Sequence, residues 1–318
     1  MSLSEKTEKW LKENCGVSLK GKTVVVTGAN SGVGFKTAET AVCLGADVIL
    51  ACRNEKKADA ARDELLIDRP DASVKVMKLD MASFASIDAF VDGLEESGTD
   101  VWAFVNNAGA FHHPGEKTED GFDLVIGTNY IGVYYLTEKL MPYLTALSHE
   151  VLYVNTVSVV TKIAGKVDYD DFFMTKNPRS LAVYARSKVC LARYTYALAE
   201  RMKGSNIRVE MNHPGVAVTP LGLNALGAWA TRISGAARPF FNSPEKSSLS
   251  FAYLVSHDVK PGSLVGPHIA FDCYGYPKLN RLPRKVKTGA DELIRFTEKE
   301  IEAFKPTKQA KKELGINE

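Results

Sequence analysis

Residues 23–34 of the chain read TVVVTGANSGVG. The β-branched run at residues 23–26 predicts a strand that is buried on both faces. The glycines that follow, Gly28, Gly32 and Gly34, have the spacing G-x-x-x-G-x-G and lead into a helical stretch. Glycine permits a tight turn and a close approach of the backbone to a pyrophosphate, which then binds at the helix N-terminus. The stretch therefore predicts a nucleotide-binding strand–turn–helix unit.

Outward from this unit, short apolar runs alternate with amphipathic stretches of helical period. Helices are predicted between the runs, including a long one over residues 119–147 and another over residues 182–203. Such alternation indicates repeated β-α-β units and a parallel sheet with helices on both faces. We therefore predict the α/β class, as a single-domain Rossmann-type doubly wound parallel sheet of about seven strands. The predicted strands are residues 23–26, 48–52, 73–79, 101–105, 151–156, 207–211 and 269–272.

The domain organisation follows from the lack of any linker long enough to separate two domains. We predict one Rossmann domain over residues 22–280, an N-terminal arm over residues 1–21 and a charged C-terminal tail over residues 281–318. Within the tail, a solvated amphipathic helix is expected before a disordered end. Residues 218–243, after strand six, are rich in Gly, Ala and aromatic residues and are predicted to form a substrate lid. Phe111 and Phe172 are expected to line the opposite wall of the pocket.

Composition excludes several classes of protein. The 318 residues are 45% apolar and 25% charged, which argues against a disordered chain or a disulfide scaffold. A net charge of +2 provides no electrostatic case for a nucleic-acid partner. No apolar run approaches the roughly 18 residues of a transmembrane helix, and the N-terminus has no secretory pattern. The five cysteines are scattered and lack C-x-x-C spacing, so we expect reduced thiols, a cytoplasmic protein and no metal site.

The end of the second strand bears on the choice of cofactor. In dinucleotide-binding folds an acid at that point binds the 2′-hydroxyl of the ribose. Here the position falls near Cys52, and the next residue is Arg53, whose guanidinium suits a 2′-phosphate. The alternative is that Arg53 is simply a solvated residue at a strand end. We favour NADP(H) over NAD(H).

A tyrosine and a lysine stand four residues apart in the stretch YARSK at residues 184–188. This spacing puts Tyr184 and Lys188 on one face of a helix. Together with Ser158, just past strand five, they form a plausible acid/base set. An ammonium near a phenol favours the phenolate, so we expect the pKa of Tyr184 to lie below its ordinary value of about 10.

These motifs together resemble the classical short-chain dehydrogenase/reductases, and most closely their retinol dehydrogenase and protochlorophyllide reductase-like branch. The resemblance covers about residues 22–275 and implies a preference for NADP. Two departures stand out, because Ser158 precedes Tyr184 by 26 residues, about twice the usual gap, and Thr156 stands where paired serines are usual. The extra segment over residues 166–180 resembles an insertion of that branch. The motifs occur in the family's order: TGANSGVG from Thr27, LD at Leu79, NNAG at Asn106, Asn129, Ser158, YARSK at Tyr184 and HPG at His213.

The resemblance implies roles for single residues. Tyr184 would be the general acid/base, Ser158 would polarise the carbonyl, Lys188 would hold the nicotinamide ribose, and Asn129 would complete a proton relay or stabilise a helix kink. His213 is expected to be structural, and His112, His113 and His149 are expected at the surface. The residues implied in cofactor binding are Gly28, Asn30, Ser31, Gly32, Val33, Gly34, Arg53, Asp80, Met81, Asn107, Ala108, Gly109, Tyr184, Lys188, Pro214, Gly215 and Thr219.

The function expected from these observations is that of a soluble NADP(H)-dependent oxidoreductase. It would move a hydride between the nicotinamide and a carbonyl or alcohol carbon of an apolar substrate that is retinal-, steroid- or ketone-like. Homodimers are frequent in the family and are therefore an expected assembly. One alternative is a sugar-nucleotide epimerase, although that branch typically has G-x-x-G-x-x-G. Another is a catalytically silent NADPH-binding sensor or scaffold, although all four catalytic side chains are present.

Overall fold

The computed structural model describes residues 3–112, 115–176, 178–217 and 241–313. Besides strands and α-helices, these residues form a π-helical turn at Gly127–Ile131 and 3-10 helices at Val159–Lys162 and Arg284–Val286. Their strands are β1 (Thr23–Thr27), β2 (Asp47–Cys52), β3 (Val74–Lys78), β4 (Val101–Asn106), β5 (Val151–Thr156), β6 (Ile207–Asn212), β7 (Leu264–Ile269) and β8 (Tyr274–Asn280). Their helices are α1 (Glu5–Asn14), α2 (Gly32–Cys43), α3 (Glu55–Asp68), α4 (Phe84–Glu96), α5 (Leu124–Ile126), α6 (Gly132–Ala146), α7 (Ser180–Arg201), α8 (Pro244–Ser256) and α9 (Ala290–Glu313).

The strands form one sheet in the order β3-β2-β1-β4-β5-β6-β7-β8. Strands β1 to β7 are parallel, and β8 runs antiparallel to β7. The order reverses between β1 and β4, so the loops that follow these two strands meet at the switch point where doubly wound sheets bind ligands. The predicted single α/β domain with a parallel sheet is confirmed.

Both faces of the sheet are covered, as the apolar runs predict. Val25 packs in one core with Phe104 and Tyr153. Its neighbours Val24 and Val26 face the opposite core. Successive side chains of a strand point to opposite faces, so a strand buried on both sides must be apolar throughout.

The number of strands predicted from the sequence is wrong at the β7–β8 end of the sheet. The described residues contain eight strands where about seven were predicted, and the seventh is Leu264–Ile269 rather than residues 269–272. Ala270, Phe271 and Asp272 instead form a turn with φ values of 51°, 59° and 67°. The last two strands, β7 and β8, both contain glycine and proline, which are depleted in strands and obscured the pattern.

The long helix predicted over residues 119–147 is interrupted. Its first turn begins at Leu124, where the Asp123 carboxylate accepts hydrogen bonds from the N–H groups of Val125 and Ile126 at 3.0 and 2.9 Å. The π-helical turn then separates α5 from α6. A π turn inserts one residue and displaces its side chains, a feature found frequently at functional sites.

The segments at both ends of the chain pack on this domain. Helix α1 places Leu11 in an apolar cluster with Leu249 of α8. Helix α9 was expected to be solvated, yet Leu293 and Thr297 on one of its faces are almost fully buried. Residues 218–240 of the expected lid lie outside the described residues. No helix of the described chain is long and apolar enough to span a membrane.

Candidate active site

The glycine loop after β1 lies directly against the loop after β4. Gly28 has φ +65°, and a Cβ added there would lie 2.9 Å from the Cα of Ala108. A Cβ on Gly34 would overlap the side-chain amide of Asn107 and the carbonyl group of Gly28. Backbone atoms occupy the space that side chains would need, so glycine is required at both positions.

Hydrogen bonds join these two loops. The Thr27 hydroxyl accepts from the backbone N–H groups of Asn107 and Ala108 at 3.0 and 2.9 Å. The Asn107 amide donates to the Thr27 carbonyl oxygen at 3.0 Å. The predicted cofactor residues after β4 are thereby held beside the glycine loop. Sequence reasoning did not single out Thr27, although its position as the last polar residue of β1 was an available signal.

The start of α2 fits a phosphate group. Ser31 is its N-cap residue but makes no side-chain capping hydrogen bond, and no acidic residue lies in the first turn. Uncapped N–H groups at a helix N-terminus provide an anion site that a carboxylate in this turn would oppose. The loop and helix therefore fit the dinucleotide that the sequence predicts.

The ends of β2 and β3 lie next to this loop. Cys52 is buried, and its sulfur accepts hydrogen bonds from the backbone N–H groups of Ala29 and Asn30. Burial raises the pKa of this thiol to about 11, so it carries no charge at neutral pH. The Arg53 side chain is 69% exposed, with its Nε 4.0 Å from the Asp80 carboxylate. A cationic group and a neutral thiol thus stand where NAD-binding folds place an acid.

The four predicted catalytic residues come from three separate elements. Tyr184 and Lys188 lie on α7, Ser158 is the N-cap residue of the 3-10 helix after β5, and Asn129 lies in the π turn. Their exposed fractions are 8% for Tyr184, 4% for Lys188, 8% for Ser158 and 0% for Asn129. A Cβ added to Gly109 would lie 3.2 Å from Asn129 Oδ1 and 3.7 Å from Lys188 Nζ. The loop after β4 therefore borders both the catalytic group and the glycine loop.

The ionisation of the tyrosine differs from the expectation. Burial raises the pKa of Tyr184 above its ordinary value of 10, and a hydrogen bond with the Ser158 side chain opposes part of the rise. Burial also lowers the pKa of Lys188 from 10.5 to about 8. The Lys188 amine donates to the Thr156 carbonyl oxygen at 2.9 Å and lies 6.0 Å from the centroid of the Tyr184 ring. The pKa of Tyr184 is therefore shifted in the direction opposite to the expected lowering, because desolvation by burial exceeds the effect of the Ser158 hydrogen bond.

Asn129 connects three parts of the site. Its amide nitrogen donates to the Ala110 carbonyl oxygen at 2.9 Å and to the Ser187 hydroxyl at 3.0 Å, while its oxygen accepts from the Ala110 N–H at 2.7 Å. The Ser187 hydroxyl in turn donates to the Tyr184 carbonyl oxygen at 2.8 Å. Asn129 therefore fixes the loop after β4 against α7. Sequence reasoning missed Ser187, whose place inside YARSK was its only signal.

The histidine of the HPG motif after β6 has a structural role. His213 is buried, burial lowers its pKa to about 4, and its Nδ1 accepts from the Gly215 N–H at 3.2 Å. The expectation of a structural His213 is confirmed. The Pro214 carbonyl oxygen accepts from Ser247 at 2.8 Å, which anchors this loop to α8. Thr219 lies outside the described residues.

The remaining sequence-predicted residues have different surroundings. The Phe111 ring lies edge-on to Tyr184, with 5.4 Å between the ring centroids, so it stands beside the predicted acid/base. Phe172 is buried 4.6 Å from the Phe296 ring of α9, so its expected place in the wall is wrong. Met81 is buried, and its carbonyl oxygen faces Gly132 at the start of α6.

The other histidines give no sign of a metal centre. His149 pairs with Asp100 and the exposed His112 with Glu116, whereas His113 lies outside the described residues. Within the described ranges, no three His, Cys, Asp or Glu side chains are grouped to hold a metal ion.

Comparison with known proteins agrees with this geometry. The family model described as short chain dehydrogenase matches residues 22–226. Human retinol dehydrogenase 13 is 35% identical over 242 residues, which span 74% of this chain and 72% of that protein. An uncharacterized protein from Mycobacterium paratuberculosis superposes with a TM-score of 0.71 at 28% identity, over 89% of this chain and 94% of that one. The 3-ketoacyl-(acyl-carrier-protein) reductase from Brucella melitensis, solved with NADH, has a TM-score of 0.58 at 27% identity over 75% and 92% of the two chains.

Proposed function

The chain belongs to the short-chain dehydrogenase family, in its retinol dehydrogenase-like branch, and we propose that it is an NADP(H)-dependent oxidoreductase acting on an apolar carbonyl or alcohol. One observation carries the proposal. Asn129, Ser158, Tyr184 and Lys188 are all buried, and the Gly109 loop that joins them to the glycine loop packs against Asn129 and Lys188. A proton donor and a dinucleotide cradle thus share one edge of the sheet.

The chemistry divides between cofactor and protein. The nicotinamide cofactor, when bound, supplies or accepts the hydride. Gly28, Gly32 and Gly34 would hold its pyrophosphate at the start of α2, and Lys188 would hold the nicotinamide ribose through the N–H groups that Thr156 leaves free.

The proton is handled by Tyr184. Because burial raises its pKa, the phenol keeps its proton at neutral pH and can donate it to a carbonyl oxygen during reduction. Ser158 bonds to the same phenol and would orient the carbonyl beside it. The buried Lys188 amine, which is largely protonated at pH 7 with a pKa of about 8, would stabilise the phenolate left after transfer.

The proposed substrate is an apolar small molecule that is retinal-, steroid- or ketone-like. Phe111 offers an aromatic edge beside the reacting phenol. The relative retinol dehydrogenase 13 is named for retinol, which is an apolar alcohol. Since all five cysteines are free thiols, we also propose a reducing location such as the cytoplasm. A homodimer is the assembly that the family resemblance implies.

The preference for NADP(H) rests on the end of β2. Arg53 is exposed there and Cys52 is neutral, so a 2′-phosphate would meet a guanidinium at the strand end itself, and it would compete for that guanidinium with the Asp80 carboxylate at the end of β3, 4.0 Å from Arg53 Nε. We expect NADPH to bind more tightly than NADH by roughly 10- to 150-fold. Titration of the protein with both cofactors measures this ratio. The double variant Cys52→Asp/Arg53→Ala should reverse or abolish the preference, and equal affinities in the parent protein would contradict it.

Turnover tests the enzymatic claim itself. A series of retinal-, steroid- and ketone-type carbonyls is offered with NADPH, and loss of NADPH absorbance is followed. Tyr184→Phe removes the proton donor at nearly constant volume, so turnover should fall roughly 10²- to 10⁴-fold while NADPH affinity stays the same. If the parent binds NADPH but turns over none of these carbonyls, a silent NADPH-binding protein becomes the better description. Near-normal turnover by Tyr184→Phe would instead refute the assigned mechanism.

A further inference from the structure

Helix α9 reaches the π turn that carries Asn129. The hydroxyl groups of Tyr130 and Thr297 lie 2.7 Å apart, and both residues are almost fully buried. The Thr297 hydroxyl donates its single proton to the Leu293 carbonyl oxygen at 2.8 Å. Tyr130 must therefore be the donor to Thr297. This hydrogen bond joins the π turn to a helix 167 residues further along the chain.

The Tyr130 ring is also held from the side. Phe172, in the inserted segment over residues 166–180, lies 6.4 Å from it between centroids, and Phe296 of α9 lies 4.6 Å from Phe172. Asn129 immediately precedes Tyr130 in the π turn, and its side chain hydrogen-bonds both to Ala110 and to Ser187 of α7. A shift of Tyr130 would consequently move Asn129.

The same part of the chain reaches the elements of the other catalytic residues. The Lys285 amine donates to the carbonyl oxygens of Lys162 and Ala164, at the end of the 3-10 helix that Ser158 begins. The Lys285 carbonyl oxygen accepts from Arg193 Nε at 2.9 Å, on the helix that carries Tyr184. Residues 284–304, which we name the C-terminal clamp, thus contact all three elements of the catalytic group.

We propose that the C-terminal clamp is a positioning element of the active site, and that the Tyr130–Thr297 hydrogen bond sets the position of Asn129. This inference rests on the proposed function for its catalytic consequence. Core packing alone would account for burial of α9, but it would not require a directed hydrogen bond next to Asn129. The two explanations differ in what loss of that bond does to the Asn129 contacts.

The test removes one hydroxyl at a time with Tyr130→Phe and Thr297→Val in the full chain. The chain offers a matched control in Tyr153→Phe. Tyr153 and Thr137 form a second buried hydroxyl pair at 2.7 Å, with Thr137 donating to the Val133 carbonyl oxygen as Thr297 does to Leu293. Tyr153 lies mid-strand in β5, where its hydroxyl also meets the side chain of Asn106 at the end of β4, and it contacts no catalytic side chain. Asn106 is in addition held by its hydrogen bond to Asn155, so it keeps a partner in the control variant. The control therefore loses the same kind of bond in the core without touching the π turn.

The first readout is hydrogen exchange of the Ala110 amide, which donates to Asn129. Exchange should be about fivefold to tenfold faster in Tyr130→Phe and Thr297→Val, and unchanged in Tyr153→Phe. This measurement needs neither substrate nor cofactor, so it tests the clamp even if the proposed function fails. Thr297→Ser is a second variant for the case in which Thr297→Val folds poorly. It keeps the hydroxyl, so its Ala110 exchange rate should equal that of the parent.

The second readout is turnover on a substrate confirmed for the parent. kcat should fall about fivefold to twentyfold in both variants while KM and NADPH affinity stay within about twofold. The double variant should lose no more than either single one, because both break the same bond. Ala110 exchange and kcat equal to those of Tyr153→Phe would overturn the proposal and leave α9 as packing alone.

Discussion

At the scale of single residues, the active site contains a lysine that is costly to bury. Lys188 is 4% exposed, and its pKa falls from 10.5 to about 8 through desolvation alone. Between these two pH values the unfolded chain holds a proton that the folded chain has released, so stability rises with pH across that window. Below pH 8 the full cost of the buried ammonium is present, up to about 3 kcal/mol.

This cost predicts the behaviour of Lys188→Met, which removes the charge at similar volume. The variant should have a larger free energy of unfolding than the parent, and this advantage should be greatest at pH 7. That advantage should shrink by about 2 kcal/mol by pH 10. Tyr184 is present in both proteins, so the contribution of its raised pKa to the pH dependence is common to both and cancels in the comparison. Denaturant titrations at pH 7 and pH 10 measure the difference, and an advantage equal at both values would show that Lys188 is not held in a desolvated site.

The residues also show where sequence reasoning reaches its limit. Tyr184, Lys188 and Ser158 were predicted as one group, because side chains four apart on a helix and a residue at a neighbouring strand end must converge. The direction of the tyrosine pKa was not predictable, since it depends on how much water the fold excludes. A neighbouring charge is visible in the sequence, but desolvation becomes visible only when the surrounding elements are in place.

At the scale of elements, the strand–turn–helix unit was predictable and its tightness can be tested. A methyl group at Gly34 would overlap the Gly28 carbonyl group and the Asn107 side chain, which Thr27 holds in place. Gly34→Ala should therefore weaken NADPH binding by at least about tenfold and lower the melting temperature. Gly165→Ala is the matched control, because nothing lies within 4 Å of its added methyl group. Fluorescence titration that shows equal NADPH affinity in both variants would mean that the loop yields easily.

Other elements were less predictable because distant contacts decide them. Strand β7 contains Gly266 and Pro267, which read as a turn, yet Gly266 is needed there because the His213 ring occupies the space of a Cβ. The π turn is likewise hidden in a continuous apolar pattern. Phe172 was expected at the pocket because its cover, Phe296, lies more than a hundred residues later in the sequence.

At the scale of the whole molecule, helix α1 packs at β8, the strand at the other end of the sheet from β3. Trp10 stacks on Tyr276 of β8, with 5.7 Å between the ring centroids and 4° between their planes. Ser4 donates to the Glu245 carboxylate at the start of α8, from both its backbone N–H and its hydroxyl, at 2.7 Å. An edge strand that would otherwise expose its side chains is thereby partly covered.

The apolar contact beneath α1 makes its contribution measurable. Leu11 is 6% exposed and packs with Leu249 and Ala252 in a cluster separate from the two main cores. Leu11→Ala would leave a cavity in that cluster, so the free energy of unfolding should fall by about 2–3 kcal/mol. The exposed neighbour Lys12→Ala serves as control and should change stability by less than about 0.5 kcal/mol. Denaturant titration measures both variants, and kcat/KM of the folded Leu11→Ala protein should match the parent, because no catalytic side chain belongs to this cluster. Equal stability of the two variants would show that α1 is only loosely attached, whereas a loss of kcat/KM at full folding would mean that the sheet edge is coupled to the active site.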